Sequence, residues 1–176
     1  HVEVQRWIDG GGVGGRAVAM ETVCEIHRRC GELLPPELLV VENPDSGRTV
    51  AMVPGKLRDS DVRVGRHIAI SAGAVPRFLQ RFAHTYGALG RSETILAAAA
   101  AHQRLLWIHP FLDGNGRGAR LMSHAVLLHA LDTGGVWSIA RGFARNVGTY
   151  KQHLMNCDSP RRNDLDGRGA LSEEAL

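Results

Sequence analysis

Between two long stretches of helix-forming sequence lies the run His109-Pro110-Phe111-Leu112-Asp113-Gly114-Asn115-Gly116-Arg117-Gly118-Ala119-Arg120. Proline and three glycines in ten residues cannot continue a helix, so the chain must turn here and start again. The upstream flank (Ile95, Leu96, alanines 97 to 101, Leu105, Leu106, Ile108) and the downstream flank (Leu121, Met122, Val126, Leu127, Leu131) both have helical apolar spacing. The twelve residues are therefore a loop running into a helix N-terminus, where unpaired N–H groups and the positive dipole end favour an anion. A base, a carboxylate of the kind metals prefer, a glycine-flanked amide and two arginines suit a nucleotide polyphosphate.

The 176 residues suit one domain, and 44% apolar against 22% charged residues describes an ordinary globular chain. The net charge of +3 comes from scattered arginines rather than a basic stripe, which argues against a nucleic-acid surface. Cys24, Cys30 and Cys157 cannot all pair, and none forms C-x-x-C, so reduced, packed thiols and a cytoplasmic location are expected. No apolar run reaches the roughly 18 residues of a membrane span, and no leader pattern is present. Opening on His1 and closing on Leu176 within a helical pattern, the chain reads as a fragment.

Residues 1 to 15 are expected to form a linker or turn, because charge is mixed with Val2, Val4, Trp7 and Ile8 and five glycines follow between positions 10 and 15. That stretch formally satisfies G-x-G-x-x-G without the strand-turn-helix context a dinucleotide site needs. Val18, Met20, Val23, Ile26 and Leu33 predict a helix over 16–34, stopped by Pro35-Pro36. Between 37 and 70, β-branched pieces at Thr49 to Val53 and Val62 to Val64 predict a small hairpin near 49–66. Val75, Phe78, Leu79, Phe82 and Tyr86 predict a helix ended by Gly87. Ser92 is the expected cap of the next one, which delivers His109 to the loop. The following helix should stop at Gly134-Gly135, another should run from Phe143 to Leu154, and Ser172-Glu173-Glu174 should begin a last, truncated helix over 171–176.

Two common loops are excluded at 109–120. Asp113-x-Asn115-x-x-Gly118 fits the start of an EF-hand, but Arg117 and His124 occupy positions that need ligands. The Walker A string G-x-x-x-x-G-K-[ST] occurs nowhere. His84, His102, His124 and His129 show no three-ligand spacing for zinc. An isolated Asp-Gly-Asn-Gly is more often a plain turn, and an isolated His beside Pro a packed residue; it is their combination with both arginines that favours function.

The complete string resembles the signature of the Fic family, H-x-F-x-[DE]-G-N-G-R-x-x-R, with every specified position filled. Gly55-Lys56-Leu57-Arg58 and Val62-Arg63-Val64-Gly65-Arg66-His67 are similar to the Fic flap, and Asn163 to Gly169 to the tail that follows many Fic cores. The likeness spans about residues 16 to 170 and implies a mostly α, Fic-type helical bundle with a small β-hairpin flap. It also implies transfer of AMP from ATP to a hydroxyl side chain of a target protein, with Mg²⁺ as cofactor.

On that resemblance His109 is the general base, since an imidazole of pKa about 6.5 can take a hydroxyl proton at neutral pH. Asp113 is the Mg²⁺ ligand. Gly114, Asn115 and Gly116 form the anion hole, the amide of Asn115 donating to phosphate. Arg117 and Arg120, three apart on a helix, hold the β- and γ-phosphates. Phe111 is structural, anchoring the loop. Tyr150 and Asn156 fall where the family places residues near the adenine, although core packing explains Tyr150 equally well. Arg58, Val62, Arg63 and Val64 form the flap on which an extended target segment docks as an added strand.

Doc-type relatives, which resemble kinases, carry Lys where this chain has Gly116, so Gly116 favours AMP transfer. Transfer of UMP or phosphocholine, removal of AMP, and a non-enzymatic nucleotide-sensing regulator remain open. Many Fic proteins are held inactive by a helix bearing [ST]-x-x-x-E-[GN]. No Ser or Thr here has Glu four residues later followed by Gly or Asn, so any inhibitor lies in a separate partner protein, in sequence outside these residues, or nowhere.

Overall fold

The structure is a computed structural model that describes residues 1–42, 47, 49–65, 67–132 and 134–158. Its centre is the pair of helices that the twelve-residue loop joins. Helix α4 (Arg91–Ile108) ends on the loop and α5 (Asn115–Leu131) begins from it. Ala98, Ala101, Leu105 and Ile108 follow one another by three and four residues and face inward, and the small alanines let α4 lie close to α5. Helix α5 is buried almost all round, at Gly118, Ala119 and every position from Leu121 to Val126. A helix enclosed in this way must be the middle of the bundle.

Around it pack α1 (Val2–Asp9), α2 (Met20–Glu32), α3 (Val75–Tyr86) against α4, α6 (Ile139–Arg145) and α7 (Val147–Cys157). The described residues thus make a mostly α bundle, as the sequence predicts, with two small β-hairpins in place of the one expected. None of the described helices is long and apolar enough to cross a membrane.

Several local expectations are corrected. Residues 2–9 are not linker but helix α1, with Val4 and Ile8 both 2% exposed. An eight-residue helix is marginal alone, but burying two such side chains contributes roughly 1.5–3 kcal/mol each. Asp9 also lies 2.7 Å from His124 Nε2 on α5, which ties the helix end to the core. The glycines after it do form the expected turn.

The single hairpin near 49–66 is replaced by two. Strand β1 (Val40–Glu42) pairs antiparallel with β2 (Thr49–Ala51), and β3 (Arg63–Val64) with β4 (His67–Ile68). Each β-branched run pairs with a segment near it in sequence, where closing a loop costs least entropy. Helix α4 starts before Ser92, because Glu93 accepts from the Gly90 N–H at 2.9 Å and so satisfies the new helix start. Helix α5 ends at Asp132 (φ 52°), whose N–H returns to Leu128 O, ahead of the glycine pair. The helix expected from Phe143 is two, broken at Asn146 (φ −130°, ψ 46°). Residues 163–169 and 171–176 lie outside the described residues.

Candidate functional site

Helix α4 ends in a left-handed turn at His109 (φ 51°), a conformation that costs a non-glycine residue energy and has to be held by its surroundings. Arg58 holds it. Its Nε donates to the His109 carbonyl at 2.7 Å, Nη1 to Ser60 O at 2.9 Å, and Nη2 to the carbonyls of Ile70 and, at 3.4 Å, Ile108. The Arg58 backbone N–H adds a bond to Pro110 O at 2.9 Å. A buried cation thus closes the C-terminal carbonyls of α4, where the helix dipole is negative. With its side chain fully buried, Arg58 is corrected from a target-facing flap residue to a brace beneath the 109–120 loop.

The ring of His109 turns Nδ1 toward the Leu106 carbonyl at 3.3 Å. A carbonyl only accepts, so this nitrogen carries the hydrogen and Nε2 keeps its lone pair. Burial draws the pKa down to about 4, with the neighbouring His67 and Arg58 pushing the same way and the Leu106 carbonyl opposing. The imidazole is neutral at pH 7.

From His109 the chain passes Phe111, 1% exposed and anchoring the loop as predicted. Its ring stacks on His27 of α2, centroids 3.7 Å apart and planes within 5°. His27 is a site residue missed in the sequence. Its Nδ1 accepts from the Gly55 N–H at 2.9 Å, which leaves the hydrogen on Nε2 to donate to Asp113 O at 2.9 Å. The signal available was a polar residue beside the buried positions Val23, Ile26 and Cys30 of α2.

Gly114 (φ 77°) starts the turn into α5, and a Cβ there would meet His27 Nε2 at 3.1 Å. Asn115 departs from expectation. Its amide donates to Phe111 O at 2.8 Å and accepts from the Phe111 N–H at 3.0 Å, so the buried side chain closes the loop and is not free for phosphate. The donors open to an anion at this turn are instead the backbone N–H groups at the start of α5, which have no acceptor within the helix. A Cβ at Gly116 would lie 3.3 Å from Arg120 Nη1, so the guanidinium folds back over the first turn of α5.

Arg117 places Nη2 3.2 Å from Asp113 Oδ2, while its buried Nε has no hydrogen-bond partner. An unpaired buried donor at a helix N-terminus is a place for an anion's oxygen. Asp113 offers an exposed carboxylate at the loop tip, its backbone fixed by His27. Among the described residues no three acidic, His or Cys side chains gather as a metal site. A single carboxylate still fits Mg²⁺ of the kind completed by substrate phosphates and water, and does not fit an all-protein cage.

Tyr150 lines a cavity of about 330 Å³ with His102, Gln103, Phe143, Leu154 and Cys157. One face of its ring is covered by Phe143 (4.4 Å, 23°), and its hydroxyl lies 2.9 Å from His102 Nε2. Asn156 does not line this cavity. It is exposed and accepts from Gln152 Nε2 at 2.9 Å, so the pairing of Tyr150 and Asn156 around a base is not formed in this structure.

On β3 and β4, Arg63, Val64 and Ile68 are exposed and Val62 is half-buried. The Ala69 N–H donates to Val62 O at 3.2 Å, so residues 62 and 69 are a bonded pair and the next pair, Arg63 and Ile68, is not. The free N–H of β3 therefore belongs to Arg63, not to Val62 or Val64. His67 secures the hairpin to α4 by donating from Nε2 to Trp107 O at 2.8 Å.

A profile described as the Fic/DOC family matches residues 17–127. The chain is 32% identical over 115 residues to a protein adenylyltransferase Fic of Drosophila virilis, an alignment covering 64% of this chain and 21% of that protein. To the protein of the same name in Drosophila ananassae it is 30% identical over 127 residues, covering 71% and 22%. The chain thus spans about a fifth of the length of these relatives. The fold is similar to that of a Fic-domain-containing signalling protein from Bacteroides thetaiotaomicron, with a TM-score of 0.57, 21% identity, and coverage of 90% of this chain and 55% of that one.

Proposed function

We propose, from the premise that the chain belongs to the Fic/DOC family, that it transfers AMP from ATP to a hydroxyl side chain of a target protein. The observation that carries this is a neutral imidazole with a free Nε2, held at the mouth of an anion-binding helix start by a brace that fixes its backbone. Binding alone needs no such base. The name adenylyltransferase carried by relatives supports the same reaction.

In this mechanism the target hydroxyl oxygen attacks the α-phosphorus, and its proton passes to His109 Nε2. The bond from the α-phosphorus to the bridging oxygen breaks, and pyrophosphate leaves in line with the attack. The N–H groups at the start of α5, with Arg117 and Arg120, hold the β- and γ-phosphates as that charge develops. Asp113 would hold Mg²⁺, which when bound neutralises phosphate charge. The Arg63 edge of β3 holds the target as an added strand and so presents its hydroxyl. A second transfer reaction on the same site, of UMP, phosphocholine or phosphate, or removal of AMP, is the alternative.

The test is to incubate the protein with a lysate and ATP labelled in parallel at the α- and γ-phosphates, with and without Mg²⁺. Label arriving from the α-position is the expected result. Label from the γ-position alone would make this a kinase, and tight ATP binding with neither would make it a sensor.

A further inference from the structure

Between α3 and α4 lies a cavity of about 320 Å³ that the proposed transfer reaction does not use, since neither Asp113 nor Arg117 nor Arg120 lines it. Its apolar wall comes from both helices. Phe78, Phe82 and Tyr86 stand four apart on one face of α3, and Ile108 faces them from α4. Phe82 and Ile108 belong to the core, at 2% and 1% exposed, while Phe78 and Tyr86 are half-buried. The rings brace one another, Phe82 against Tyr86 with centroids 5.0 Å apart and Phe78 against Trp107 at 5.7 Å. A braced aromatic wall around a volume of this size is what small-molecule sites are made of.

The polar groups of the cavity are donors. Arg81, Thr85 and Arg104 complete the lining, which holds no Asp or Glu. Neither arginine has a carboxylate or carbonyl partner among the described residues, and α3 contains no acidic residue to supply one. The Arg104 guanidinium lies 5.1 Å from the centre of the Trp107 ring, a contact that uses its face and leaves its edge N–H groups open. Arg104 is half-buried, so those donors have lost part of their water with no protein acceptor in exchange. A void left by imperfect packing is lined by apolar groups alone and has no such cations at its wall.

We infer that the cavity between α3 and α4 binds a small aromatic carboxylate, its ring against Phe78, Phe82 and Ile108 and its carboxylate on Arg81 and Arg104. Burial of apolar area draws the ring out of water, and a guanidinium fork matches the two carboxylate oxygens. A docked helix or strand would need a longer apolar stripe than these side chains provide, so the occupant is a compact molecule. The inference goes beyond the transfer reaction. It touches that reaction at one point, because Ile108 precedes His109 and its carbonyl lies 3.4 Å from Arg58 Nη2. An occupant therefore rests against the helix end that carries the base.

The experiment titrates the full chain with 2-naphthoate, and with 2-naphthamide as its neutral twin, followed by protein NMR. 2-Naphthoate should bind with a Kd of about 1 mM or tighter, the scale for a ligand of this size. The amide should bind at least about tenfold more weakly, the scale for losing a hydrogen bond to a charged group. Arg81→Gln and Arg104→Gln should each weaken the acid about tenfold and leave the amide within about twofold. Arg141→Gln, an exposed change on α6, should alter neither. Saturating ATP should leave the affinity for 2-naphthoate unchanged, and circular dichroism checks that each variant folds. Equal affinity for acid and amide, or indifference to both lining variants, would overturn the assignment by showing a void without charge recognition. Displacement by ATP would overturn it by placing the probe in the nucleotide site, and so would failure to saturate at about ten times that Kd.

Discussion

His27 Nε2 donates to the carbonyl of Asp113 at 2.9 Å across 86 residues of sequence, while the same ring lies flat on Phe111. The first strand of the loop and the start of α5 are thus held by one side chain of α2. His27→Ala removes the stack and leaves the Gly55 N–H and the Asp113 carbonyl without partners, a loss of about 1–3 kcal/mol for each group that stays buried. Thermal unfolding should fall by several degrees. Transfer of AMP, measured well below the new melting temperature, should fall further than the folded fraction does, because Asp113 and Gly114 lose their fixed position. Activity that tracks the folded fraction alone would reduce His27 to a packing residue.

Arg58 separates a brace from a docking residue. Arg58→Lys keeps the charge but cannot reach four carbonyls from a single ammonium, so buried acceptors lose their donors. Denaturant unfolding should show a loss of about 2–4 kcal/mol, with or without target present. A variant of wild-type stability that needs more target for half-maximal rate would restore Arg58 to the target surface.

The β3 edge makes a positional prediction. Arg63→Pro removes the N–H that points away from β4, so it should weaken target modification at least about tenfold while ATP affinity stays within twofold. Arg63→Ala keeps the backbone donor and should lose much less. Equal losses in the two variants would show that the Arg63 side chain, not the strand edge, meets the target.

These cases show what was legible in the chain. The loop and its helices could be read because their residues act through local order: Gly114 turns, α5 begins, and Arg117 and Arg120 follow at helical offsets. Gly114 to Arg120 are indeed brought to one helix start. The braces could not be read, because they depend on side chains far apart in sequence meeting in space, as His27 meets Asp113 and Arg58 meets His109. Helix α1 was hidden for the same reason, its two apolar positions becoming a signal only against α5. Asn115 was misjudged because the same amide can serve a phosphate or its own loop, and only the 2.8 and 3.0 Å bonds to Phe111 decide.

The buried position of His109 sets a pH dependence. Its folded pKa, about 4, lies below the ordinary value near 6.5, so the neutral base form persists well into the acid range. By linkage, the unfolded chain binds more protons than the folded one between those two values, and acidification through that window favours unfolding. His102, also drawn down to about 4, adds to the same slope. Each such histidine contributes up to about 1.4 kcal/mol per pH unit. Urea unfolding from pH 7 to pH 4.5 should therefore show stability falling with pH, and His109→Asn should flatten the slope. In the free protein the His109 ring resonance should titrate near 4; a midpoint at 6.5 would mean that the ring is open to water.

Control of the proposed reaction is the last point at issue. In the family the inhibitory glutamate pairs with the second arginine of the signature, which is Arg120 here. None of the ion pairs among the described residues involves Arg120, whose guanidinium lies over Gly116 at the first turn of α5. A guanidinium without a carboxylate partner keeps its donors and charge for phosphate, whereas a paired carboxylate would occupy it. The chain as given should therefore transfer AMP without any activating substitution, and should modify itself where a flexible hydroxyl reaches the flap. Comparing wild type, Arg120→Ala and His109→Ala with α-labelled ATP and Mg²⁺ should give strong, weak and background incorporation in that order. The His109 variant should lie at least 10²-fold below wild type, the lower end of what a general base contributes. A wild-type protein that binds ATP and Mg²⁺ yet stays as silent as His109→Ala would show that an inhibitory contact is built into these residues.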